Sequence, residues 1–128
     1  MFAARLRSEL APESCKRLTA MLPFRGTVIH ARWSGEAIWC PLGTAWPSEL
    51  TLAPEHATSE PKAGEILLFA GQQSEPELLI PYGTTRFACK VGALEGNPVL
   101  LIEEDVPKLA ECGREVLLRG AMELRIDG

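Results

Sequence analysis

Two stretches with helical spacing, one near each end of the chain, bracket a long middle whose apolar residues come only in short runs cut by proline and glycine. In APESCKRLTAML, Pro12 suits a first turn and Glu13 complements the positive end of the helix dipole. Cys15, Leu18, Thr19 and Leu22 then recur at helical intervals until Pro23 stops the run. In the second stretch Asp105 is placed to cap, Pro107 falls in the first turn and Gly120 ends the helix. Its expected buried stripe is Val106, Leu109, Ala110, Gly113, Val116 and Leu117.

The middle reads as a sheet. Strands are expected at 27–33, 36–41, 65–70 and 77–82, with a weaker one near 89–94 or 98–102. The termini alternate too: Phe2, Ala4, Leu6 and Leu10 at one end, Met122, Leu124 and Ile126 at the other. Each end is therefore expected to be a half-buried strand, and pairing between them would tie the termini together. PLGTAWPSELTLAPEHATSEPKAG, rich in Pro, Gly, Ser and Thr, reads as a long loop with one short strand around 49–53. No repeat or boundary interrupts this order, which implies one domain over 1–128. Strand, helix, several strands, helix, strand is an α+β order, mostly β. It points to an antiparallel sheet closed into a β-barrel, with the two helices capping its ends.

Composition narrows the function. At 128 residues, 46% apolar and 23% charged, the chain is ordinary for a soluble globular protein with a core of its own. A net charge of -4 without a basic block argues against nucleic acid. The longest apolar runs, ILLFA at 66–70 and VLLI at 99–102, fall far short of the ~20 residues of a membrane span. MFAARLRSEL has no continuous apolar core for secretion. Cysteines at 15, 40, 89 and 112 form no CxxC pair, and no histidine stands at ligand spacing. They read as reduced thiols of a cytoplasmic protein, with no metal and no cofactor expected. Cys15 and Cys112, inside helical patterns, are expected to pack as small hydrophobes.

The densest chemistry lies in IHARWSGEAIWCPL, from Ile29 to Leu42. A turn centred on Ser34-Gly35 pairs Trp33 with Glu36, Arg32 with Ala37, Ala31 with Ile38 and His30 with Trp39. One face then carries Ile29, Ala31, Trp33, Glu36, Ile38 and Cys40, the other Val28, His30, Arg32, Ala37 and Trp39. A one-residue slip would re-sort the second strand. Neither face is purely apolar, so one of them meets a groove, a polar network or solvent. In the plainer reading, backbone carbonyls and Glu36 satisfy His30 and Arg32 while the tryptophans fill the core. Tyr82, Thr84, Thr85 and Arg86 lie just past a strand end, where loop side chains either contact ligands or form a solvated turn. Catalytic templates are missing: no GxSxG elbow, no phosphate-cradling loop, no zinc pattern. Ser34 or Cys40 beside His30 has no orienting carboxylate fixed by spacing.

The stretches APESCKRLTAMLPFRGTVIHARWSGEAIWCPL, GEILLF, PELLIPYG and VPKLAECGREVLLRGAMELRI resemble the cyclophilin-like fold. More closely, they are similar to a family of small bacterial proteins of that fold, a domain of unknown function carrying HARWSGE after a helix. Cyclophilins have a strand with a Phe-His-Arg triplet that supplies the catalytic arginine. Here the corresponding residues are Ile29-His30-Ala31, and Arg32, one further on, points to the other face of a strand. The aromatic and glutamine positions of the isomerase groove correspond to Glu36 and Trp39, and a groove phenylalanine to Leu79. The resemblance thus implies a groove without the guanidinium that stabilises a twisted amide.

Three readings follow. A small polar or carboxylate-bearing molecule, or a short peptide, binds in the groove: Arg32 or Arg86 meets a carboxylate, Trp33 or Trp39 forms a wall, and His30 and Glu36 exchange protons. Alternatively, a partner protein or a second copy docks on an apolar edge, giving a homo-oligomer. A weak prolyl isomerase comes last.

Overall fold

Each apolar run of the middle segment becomes a strand of one antiparallel sheet. The structure, a computed structural model, describes residues 1–128. In chain order it runs β1 (Arg5–Leu6), α1 (Pro12–Met21), β2 (Phe24–His30), β3 (Gly35–Pro41), a 3-10 turn at Gly43–Ala45 and β4 (Glu65–Phe69). There follow β5 (Glu77–Thr85), β6 (Ala88–Cys89), β7 (Gly92–Ala93), β8 (Asn97–Leu101), α2 (Val106–Arg119) and β9 (Met122–Ile126). The strand order is β1-β8-β4-β5-β3-β2-β9, with β6 and β7 as a separate hairpin. Neither helix is long and apolar enough to cross a membrane.

The expected barrel does not close. β1 pairs with β8 and β9 with β2, so the two ends of the chain lie at opposite edges of an open sheet. The alternation from Phe2 to Leu10 yields only a two-residue strand. Past Arg7 the chain turns, because the amides of Leu10 and Ala11 both donate to the Arg7 carbonyl. Nor do the helices cap two ends. Both pack on one face, where Cys15 and Leu18 of α1 and Leu109 and Val116 of α2 join Val28, Ile38, Cys40, Leu78 and Ile80 in the main core. Each Val, Leu or Ile among them contributes roughly 1.5–3 kcal/mol when fully buried. Gly113 lets α2 approach β5, since a methyl group there would collide with the Tyr82 ring.

Several local expectations are corrected as well. Leu117 is exposed, so the buried stripe of α2 ends at Val116. Asp105 stands at the N-cap in a left-handed conformation and its side chain makes no capping hydrogen bond. The first helix lacks a cap of its own at Ala11 and takes one from the distant loop. There Glu55 accepts from the Glu13 amide (3.0 Å), the Ser14 amide (2.8 Å) and the Ser14 hydroxyl (2.6 Å). Asn97 locks this junction by donating to Ser14 Oγ and the Ala53 carbonyl while accepting from the Glu55 amide. No strand forms at 49–53; Leu52 reaches the sheet through one bond to the Ala70 carbonyl. Of the two places expected for one weaker strand, 98–102 is taken by β8, whereas 89–94 folds into the two-residue strands of the β6–β7 hairpin.

The opposite face of the sheet carries a smaller core of Ala37, Leu67, Phe69, Leu79, Phe87 and Leu94. Phe87 and Leu94, flanking the β6–β7 hairpin, cover only part of that face, with Phe69 and Phe87 packed edge-on. The uncovered part becomes a cleft.

Candidate functional site

Which side chains face the cleft depends on the β2–β3 register. Ile29 lies opposite Trp39 and His30 opposite Ile38, and the Ala31 amide donates to the Ala37 carbonyl. This is a one-residue slip from the pairing expected around Ser34-Gly35. The turn spans Ala31–Ser34 instead, and β3 begins at Gly35, with φ of 86° and a bulge before Ala37. The cause lies outside the hairpin. Ser34 is buried, and its hydroxyl donates to the Ala88 carbonyl (3.1 Å) while accepting from the Ala88 amide (3.0 Å). Its carbonyl takes the Arg86 amide. Anchored in this way, Ser34 cannot serve as an apex residue or as a nucleophile.

The slip separates His30 from Trp39. Trp39 now shares a face with Ile29, Ala37 and Leu79, whereas the ring of His30 turns to the helix side. His30 Nδ1 lies 2.9 Å from the Ala31 carbonyl and Nε2 2.8 Å from the Tyr82 hydroxyl. A carbonyl only accepts, so these partners assign the proton to Nδ1, and Tyr82 donates to Nε2. Burial, reinforced by the Glu36 carboxylate, pushes the Tyr82 phenol up, with Arg114 opposing. Glu36 accepts from the Thr84 amide, and Arg86 pairs with Glu60 on the surface. Glu36, Tyr82 and Arg86 therefore lie away from the cleft.

Arg32, Trp33, Trp39 and Leu79 do come together, around a cleft of about 390 Å³ that His30 borders. Trp39 and Leu79 form the floor, directly paired across β3 and β5. Arg32 and Trp33 enter from the β2–β3 turn, and Lys90 and Val91 from the tip of the β6–β7 hairpin. Trp33 is 53% exposed and Val91 82%, so the rim is apolar and open. Arg32 and Lys90 make no ion pair with a protein carboxylate.

Glu77 was not anticipated. It begins β5 on the same face as Leu79, opposite Pro41 and Phe69, and only 6% of its surface is exposed. No donor reaches its carboxyl, and burial, with the nearby Glu75 charge, pushes its pKa up to about 7. The cleft thus holds a largely buried acid together with two cations in its lining. Period-two spacing from Leu79 back to Glu77 was the signal that could have found it. Lys90 had none, because the β6–β7 hairpin packs over the sheet only in three dimensions. No group of three or more His, Cys, Asp and Glu side chains is placed to hold a metal ion. Cys15 and Cys40 are buried free thiols whose pKa values burial raises.

Fold and site together define an α+β protein with an open antiparallel sheet, helices on one face and a ligand-sized cleft on the other. The chain belongs to the family described as Protein of unknown function (DUF3830), which matches it over residues 1–127. A solved structure of McbB in complex with tryptophan is similar, with a TM-score of 0.77 at 22% identity. That likeness, one of fold, covers 98% of this chain and 40% of the McbB chain, so the protein spans well under half of McbB's length. No curated protein sequence matches the chain.

Proposed function

We propose that this protein binds a small carboxylate-bearing molecule with a flat apolar body in the cleft between the β2–β3 turn and the β6–β7 hairpin. The observation that carries the reading is the pair of unmatched cations, Arg32 and Lys90, beside a wall of Trp33 and Trp39. A guanidinium takes a carboxylate through two parallel hydrogen bonds, and an indole offers area with little conformational cost. The volume falls in the range of roughly 300–1,000 Å³ usual for small-molecule sites. McbB, of the same fold, holds tryptophan, itself a flat ring with a carboxylate. Titration calorimetry with indole-3-propionate and tryptophan tests the reading. We expect Arg32→Ala to weaken both by about tenfold, the loss of one charge-assisted contact. No binding to the wild type at millimolar ligand refutes it.

The cyclophilin resemblance leads to no isomerase here. Ala31 follows His30, and Arg32 borders the cleft while the His30 ring is committed to Tyr82 on the other face. We expect no acceleration in a tetrapeptide cis/trans assay, and efficient turnover would overturn this. The apolar rim of Ile29, Trp33 and Val91 favours a second reading, in which a partner or second copy covers the mouth. Concentration-dependent dimerisation that Trp33→Ser abolishes would favour that one.

A further inference from the structure

We infer that Glu77 is the recognition point for a basic nitrogen, so that the cleft takes an amphoteric molecule carrying an amine and a carboxylate on one flat apolar body. The inference rests on the carboxylate reading above and adds the second charge. Buried polar groups in proteins are nearly always hydrogen-bonded, and the exceptions call for an explanation. Glu77 comes close to such an exception: 94% of its surface is covered, its oxygens keep only a small opening, no protein donor reaches them, and it lines the cleft. Its neighbours on that face are apolar, Leu79 along the strand and Phe69 across it. Packing alone would be better served by leucine at this position.

The register sets the spacing. The Trp39–Leu79 pair and the Pro41–Glu77 pair are successive on one face of the sheet. Two residues along a strand span roughly 6.6 Å, so a ring lying over Trp39 and Leu79 places a pendant nitrogen within reach of Glu77. Arg32 and Lys90 line the same cleft and are left for the carboxylate of the same molecule. A cationic nitrogen supplies the donor that the chain withholds, as a charge-assisted hydrogen bond in a poorly solvated place. A ligand with a carboxylate alone leaves Glu77 unpaired and adds a like charge to the cleft. An amine alone leaves both cations unmatched.

Three matched probes separate these cases: L-phenylalanine, 3-phenylpropionate and 2-phenylethylamine, titrated calorimetrically into the wild type and Glu77→Gln at pH 8. The inference expects phenylalanine to bind the wild type about tenfold tighter than 3-phenylpropionate, one ion pair's worth. It expects the Gln variant to lose about tenfold for phenylalanine while holding or improving for 3-phenylpropionate. An unshifted or raised melting temperature shows that the variant is folded. Equal affinity of the wild type for phenylalanine and 3-phenylpropionate overturns the amine site and leaves the carboxylate site standing. Undiminished phenylalanine binding by the variant overturns the assignment to Glu77. No binding of any probe at millimolar concentration overturns both.

Discussion

Glu55 and Glu77 occupy two junctions of the same fold, and their surroundings treat them in opposite ways. Glu55 reaches from the long loop to the start of α1, where two amides and the Ser14 hydroxyl donate to it. Glu77 stands in a central strand among apolar side chains and accepts nothing. Burial works to raise both carboxyls. At Glu55 the Ser14 hydroxyl and the Glu13 and Ser14 amides outweigh it, and the pKa falls below the ordinary value. At Glu77 nothing outweighs it, and Glu75 adds repulsion. A carboxylate whose lone pairs the chain fills is part of the architecture. One left unfilled at a cleft is available to something from outside.

Breaking the first junction gives the largest effect. Glu55→Ala removes the cap of α1 and strips partners from Ser14, for a loss on the order of 3 kcal/mol. Urea denaturation should register it as a lower midpoint at unchanged slope. A loss under about 0.5 kcal/mol would mean that the loop does not hold the helix.

Glu77→Gln should act the other way. The folded pKa of about 7 lies above the reference value of 4.5, so between those values the folded chain holds a proton that the unfolded chain has released. Its contribution is complete below the unfolded pKa and is lost as pH rises through 7. The neutral variant escapes that loss. It should gain on the order of 2 kcal/mol over wild type at pH 8 and nothing at pH 4, by thermal denaturation across pH. Destabilisation at pH 8 would show that the carboxylate has a partner within the protein. For Glu55 the sign reverses: a lowered folded pKa gives stability above the unfolded value that is lost as pH falls through the folded one.

The contrast between these residues also marks how far the sequence can be read. The central strands and both helix ends follow from short apolar runs, prolines and a glycine, all local signals. Barrel closure does not, because whether two edges meet is a property of the whole sheet, and the alternation from Phe2 to Leu10 reads the same either way. The slip in the β2–β3 hairpin was equally hidden, since Ser34 takes its anchor from Ala88, far along the chain. That slip sends the His30 ring to Tyr82 and leaves Trp39 to the cleft. Arg32, Trp33, Trp39 and Leu79 are groove candidates from sequence, yet the expected register puts Trp33 on the face opposite Arg32 and Trp39, and only the fold brings the four together. Glu36, Tyr82 and Arg86 were drawn in by chemistry rather than by position. Glu77 was the reverse, a residue whose position was readable and whose chemistry draws notice only once its lack of partners is seen.

Smaller changes sharpen the contrast by altering one neighbour of each acid. Ser14→Ala takes a single hydroxyl from Glu55 and leaves the two amides, so it should cost about 1 kcal/mol. It should also raise the Glu55 pKa toward its ordinary value, which carbon-detected NMR titration can follow. Glu75→Gln removes the nearby like charge that adds to the burial of Glu77 and should lower its midpoint from about 7, with stability changed by only a few tenths of a kcal/mol. Burial remains the larger cause, so the midpoint should stay well above 4.5. A fall all the way to that value would mean that Glu77 is solvated, and the difference from Glu55 would then be one of neighbouring charge rather than of missing donors.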